Sequence, residues 1–135
     1  MDSSVLWAIL KHETTGPAWM KKLVELRSAG PLVAREAIWA ETRPPFANAR
    51  QHGDTLARPG IIYDPLTAEA AALADELFAR YRKAGGTRER LLPDFLIAAH
   101  ALAQAKQLAT LDAGFFRRHF HGIKIVNVSA SAHET

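Results

Sequence analysis

The chain has 135 residues and carries 17 Lys and Arg against 14 Asp and Glu, a net charge of +3. That excess suits brief contacts with phosphate and falls short of a dedicated nucleic-acid coat. Hydrophobic residues make up 48% and charged residues 23%, as expected of one compact domain with a sizeable core, while the lack of cysteine excludes disulfides, zinc–thiolate sites and thiol catalysis.

Along the chain, Ser4 to Leu10 is an apolar run behind Asp2 and Ser3, residue types that open helices. Pro17 precedes a helical stretch in which Trp19, Leu23 and Leu26 share a face, and Ala29-Gly30-Pro31 ends it. Leu32-Val33 reads as a short buried strand. A helix is expected over Arg35 to Ala49, with Pro44-Pro45 either kinking it or splitting it in two. Ile61-Ile62-Tyr63 is a second strand, closed by Asp64-Pro65.

The clearest helix runs from Ala68 to Ala84. Leu66, Ala70, Leu73, Ala74, Leu77, Phe78 and Tyr81 recur at helical spacing, Thr67 caps the start and Gly85-Gly86 closes the end. Pro93 opens another helix reaching about Gln104. Leu108-Ala109-Thr110 is strand-like, Ala113 to His119 helical, and Ile123 to Val126 a last strand. Short apolar strands alternating with helices describe an α/β domain with a mainly parallel sheet. It is expected over residues 1–128, followed by a flexible polar tail, 129–135, without apolar period. No apolar run approaches a membrane span and the start lacks the positive flank of a signal peptide, so the cytoplasm is the expected compartment.

Four acids fall at informative places. Asp2 precedes the first helix, Asp94 lies in the first turn behind Pro93, Asp112 follows the third strand, and Glu41 follows the apolar Ala37-Ile38-Trp39-Ala40. Loops at the carboxyl ends of parallel strands form the ligand crevice of such sheets. Carboxylates gathered there would repel one another unless cations neutralise them, and hard divalent cations prefer oxygen ligands. The plainer alternatives are helix caps or dipole-favoured acids for Asp2, Asp94 and Asp112, and a pairing with Arg43 for Glu41.

Four segments carry a resemblance to the PIN-domain family, and within it to VapC-type toxins. They are Asp2-Ser-Ser4-Val-Leu, Ala37-Ile-Trp-Ala-Glu41, Leu92-Pro-Asp94-Phe-Leu-Ile-Ala-Ala-His-Ala101 and Leu108-Ala-Thr110-Leu-Asp112-Ala-Gly-Phe-Phe. The resemblance implies a three-layer α/β/α sandwich around a parallel sheet. It also implies RNA cleavage dependent on Mg²⁺ or Mn²⁺, with Asp2, Glu41, Asp94 and Asp112 as catalytic carboxylates and metal ligands. Ser4 and Thr110 are implied as supporting residues, a VapB-like antitoxin as a partner, and a homodimer as the frequent assembly. Relatives carry a short strand before the first Asp, so a natural product about four residues longer is expected. Leu111 stands where many relatives place a polar residue.

Among the bases, Arg88, Arg90, Arg117 and Arg118 lie nearest the acids in sequence and are the expected RNA backbone contacts. Asp64 is expected to shape a turn or precede the cap, His100 to be packed or hydrogen-bonded, and His119 and His121 to be surface or packing residues. The alternatives to a ribonuclease are a catalytically silent PIN-like binding domain and an unrelated phosphate-hydrolysing enzyme.

Overall fold

The structure is a computed structural model that describes residues 1–86 and 92–128. The chain divides into two compact units: Met1–Pro65 with Ala109–Leu111 and Val126–Thr135, and Leu66–Leu108 with Asp112–Ile125.

The first unit runs through helix α1 (Ser3–Leu10), α2 (Gly16–Ala29), strand β1 (Leu32–Ala34), α3 (Glu36–Thr42), α4 (Ala49–Ala57) and strand β2 (Ile61–Tyr63). Trp19 and Leu23 of α2 are buried with Val5 and Ala8 of α1, Ile38 of α3 and Leu56 of α4 in one apolar cluster. Gly16 lets α1 and α2 approach, because a Cβ there would lie 2.7 Å from the Ala8 carbonyl oxygen. β1 and β2 pair in parallel, with Leu32 opposite Ile61 and Ala34 opposite Tyr63. The helix expected over Arg35 to Ala49 is split: α3 ends at Thr42 before Pro44-Pro45, and a separate α4 runs on to Ala57. Asn48 starts α4 by accepting a hydrogen bond from the Gln51 amide at 2.8 Å.

Met1 and Asp2 precede α1, with Asp2 in extended conformation. The Met1 amine donates to the Val33 carbonyl of β1 at 2.9 Å, and the Asp2 amide donates to the Ala109 carbonyl at 3.0 Å. These two residues thus make backbone hydrogen bonds of the kind a strand would make there.

The second unit contains α5 (Ala68–Lys83), α6 (Leu92–His100) and α7 (Ala113–His119). Thr67 caps α5, its hydroxyl accepting from the Ala70 amide at 3.1 Å. α6 passes into a π-helical turn, Ala101–Ala105, which ends at Lys106 in the left-handed region. Gln104 on that turn accepts from the Thr67 amide at 3.0 Å, tying it to the start of α5. Phe95 lies at the heart of this unit's core, with ring centroids of Phe78, Tyr81 and Phe120 all within 5.5 Å. Strands β3 (Gln107–Ala109) and β4 (Lys124–Val126) pair with each other. Among the described residues the strands form two small ladders, β1–β2 and β3–β4, and the parallel pairing expected from the sequence is present in β1–β2. Each strand spans three residues, too short to show a decisive pattern.

Among the described residues no helix is long and apolar enough to cross a membrane.

Candidate active site

Asp2 is the best-defined of the four acids. It occupies the N-cap position of α1, yet its carboxylate makes no capping hydrogen bond. Instead Oδ2 accepts from the Thr110 hydroxyl at 2.8 Å and from the Ser4 hydroxyl at 3.2 Å. Ser4 Oγ in turn accepts from the Leu111 amide at 3.2 Å. Thr110 is fully buried, and its backbone is fixed by the amide bond to the Val126 carbonyl at 3.2 Å. The order of donors is therefore Leu111 amide to Ser4 to Asp2, with Thr110 to Asp2 as the second arm. Both bonds fall on one carboxylate oxygen, which leaves Oδ1 for other chemistry.

Asp112 likewise holds the N-cap position of α7 without a capping bond from its side chain. Asn48 and Thr67 show what working caps in this chain look like, since each accepts from an amide three residues ahead. The cap alternative therefore does not describe Asp2 or Asp112. Asp94 sits in the first turn of α6, where the helix dipole favours an acid. Glu41 is exposed on α3. Its suggested partner Arg43 instead donates to the Phe46 carbonyl at 2.8 Å. Asp2 and Glu41 belong to the first unit, and Asp94 and Asp112 to the second.

A buried charge follows β1 that the acid motifs do not signal. Arg35, only 6% exposed, follows β1 and meets Glu36 at 3.5 Å. Its Nε has no hydrogen-bond partner among the described residues. Burial pushes the Met1 amine down to about 6, opposed by Asp2, reinforced by Arg35 and opposed by Asp64. The available signal was position: a charged residue directly after a parallel strand lies at the sheet edge where ligands bind. Asp64 follows β2, and its amide donates to the Ala34 carbonyl at 2.9 Å, continuing the ladder into the turn. His100 is buried on α6, and His119 is exposed but in ring contact with Tyr81 and Phe115. Arg88 and Arg90 lie outside the described residues, as does the tail 129–135.

The donors are carboxylate and hydroxyl oxygens, the hard type that Mg²⁺ and Mn²⁺ select. By donor chemistry Asp2, Glu41, Asp94 and Asp112 fit such an ion. Among the described residues, no group of three or more His, Asp or Glu side chains is drawn together as a ready-made metal site.

A family profile of the PIN domain matches residues 1–120. The chain belongs to the PIN-domain family. Its fold is similar to that in the crystal structure of VapBC2 from Rickettsia felis bound to a DNA fragment from their promoter. The TM-score is 0.66 at 19% identity, over 93% of this chain and 95% of that one. No curated protein matches the sequence. The architecture is accordingly PIN-like α/β, with parallel strands and small sheets.

Proposed function

We propose that this chain is a VapC-type toxin: an endoribonuclease, dependent on Mg²⁺ or Mn²⁺, that a VapB-like antitoxin neutralises. Membership of the PIN family supplies the class. The observation that carries the reading to particular residues is the presentation of Asp2, held by Ser4 and Thr110 through one oxygen and not spent as a helix cap.

In this reading Asp2, Glu41, Asp94 and Asp112 hold the ion. When bound, the ion neutralises charge at a scissile phosphate and makes water more acidic. The chain's own contribution is orientation. Thr110, buried and anchored through its backbone, fixes Asp2 Oδ2, while Ser4 passes the Leu111 amide's polarity to the same oxygen. Two hydroxyl donors on one oxygen fix the orientation of the carboxylate. The likeness to a VapBC complex supports an antitoxin partner, and a homodimer is the assembly proposed with it.

The test is expression in a bacterial host with and without the product of the neighbouring short reading frame. Growth arrest that the neighbour relieves, and that Asp94→Asn abolishes while the variant remains folded, is the expected result. Arrest that persists in Asp94→Asn would contradict the reading. A folded chain that binds the neighbour's product but cleaves no RNA would favour the catalytically silent alternative.

A further inference from the structure

Some basic residues of this chain are matched by acids on their own helix. Lys22 pairs with Glu25, Arg50 with Asp54 and Arg80 with Glu76, each three or four residues apart on one helix. One end of the second unit gathers four that are not. The last turn of α5 carries Arg82 and Lys83 beyond Arg80, and the last turn of α7 carries Arg117 and Arg118. All four are exposed, and none has an acidic partner within 4.0 Å among the described residues. The two turns are joined by an edge-on contact between Tyr81 of α5 and His119 of α7, with ring centroids 5.6 Å apart at 89°. Phe115 supports His119 from the other side at 4.9 Å. Arg82 is itself steadied over the Phe78 ring at 5.7 Å.

Cations in a last turn complement the helix dipole, and that accounts for each helix taken alone. It does not by itself account for two such turns joined by a ring contact and carrying four exposed cations, since like charges brought together repel. A surface of this kind, with guanidinium groups able to meet phosphate oxygens in pairs, fits a polyanion. We propose that Arg82, Lys83, Arg117 and Arg118 form one phosphate-binding surface for single-stranded RNA, holding substrate away from the cleavage point. This deepens the ribonuclease reading and rests on it for the identity of the ligand. The sequence alone suggested Arg117 and Arg118; the contact between Tyr81 and His119 adds Arg82 and Lys83.

The probe is a short fluorescein-labelled single-stranded RNA, titrated with the full chain in EDTA so that binding is separated from cleavage. Anisotropy is read at several salt concentrations. Four phosphate contacts at roughly 0.7 each give a slope of about −3 in log affinity against log salt, or about a 50-fold loss between about 50 and 200 mM. The variant Arg82→Gln, Lys83→Gln, Arg117→Gln, Arg118→Gln is expected to lose most of that slope. A variant with the same charge change in the first unit, Lys11→Gln, Lys21→Gln, Arg50→Gln, Arg58→Gln, is expected to keep it. Equal slopes in the wild type and the first variant would overturn the proposal, as would an equal loss in both variants. Polyglutamate displacing RNA at equal charge concentration would overturn it in favour of an acidic protein partner. If the slope behaves as stated and the chain cleaves no RNA, the surface stands and the ribonuclease reading fails; cleavage with unaltered slopes gives the reverse.

Discussion

Thr110 is a polar side chain that packing alone would not choose. It is fully buried, and its hydroxyl reaches Asp2 at 2.8 Å. Thr110→Val keeps the shape and removes the donor. A hydrogen bond to a charged group contributes about 1.5–3 kcal/mol, and Asp2 is half-buried, so a loss near the lower figure is expected in urea unfolding. Thr110→Ser is expected to recover most of it, with RNA cleavage following the same order across the two variants. A Val variant as stable and active as wild type would remove Thr110 from the site.

His52 shows how a buried polar group is settled by its neighbours. The Thr42 hydroxyl donates to the Ile38 carbonyl at 2.7 Å, so its 3.0 Å contact with His52 Nε2 is one in which the imidazole N–H donates. The ring lies between Trp39 and Phe46. Burial, with a further push from Arg43, lowers its pKa below the ordinary 6.5. The folded state therefore resists a proton that the unfolded chain accepts. Stability should be full above pH about 6.5 and fall as pH drops below it. His52→Gln should flatten that part of the urea-midpoint profile; an unchanged profile would assign the pH response elsewhere.

Among the elements, the packing of α1 on α2 depends on the bare backbone of Gly16. A Cβ 2.7 Å from the Ala8 carbonyl oxygen must displace backbone, so Gly16→Ala is expected to destabilise by about 1–3 kcal/mol, as overpacking does. At the other unit, Thr67→Ala removes the α5 cap and should cost about 1 kcal/mol. Thermal melts of the two variants would rank them in that order, and an unchanged midpoint for Gly16→Ala would mean that the helices separate freely.

Some of these elements were legible. α5 carries an apolar stripe, a Thr67 cap and a Gly85-Gly86 stop, and its observed limits, Ala68–Lys83, lie within a residue of the sequence reading. α7 and β2 have the limits that their residues suggest. α4 was missed beyond its first residue, because His52 and Leu56 are its buried residues and one of them is polar. Pro44-Pro45 obscured the Asn48 cap that begins it. The acids were visible as residue types at element ends. Which of them act as caps was not, since the hydroxyls that hold Asp2 come from Ser4 and from Thr110, over a hundred positions away. For Arg35 the sequence carries only its position after β1, and nothing in its neighbours marks it as buried.

At the scale of the molecule, each unit has its own apolar cluster, one around Trp19, Leu23 and Ile38, the other around Phe95 and Phe116. The proposed phosphate-binding surface belongs to the second. The central claim is that cleavage requires the four carboxylates and a divalent metal. It is tested most directly by incubating purified chain with RNA in Mg²⁺ or Mn²⁺ and in excess EDTA, alongside Asp2→Asn, Glu41→Gln, Asp94→Asn and Asp112→Asn, with folding checked by circular dichroism. The account predicts cleavage by wild type only with the metal, and a loss of at least about a hundredfold in each Asn variant, the scale expected when charge stabilisation of the reacting phosphate is removed. Cleavage that survives EDTA, or that survives in folded Asp2→Asn, would contradict it.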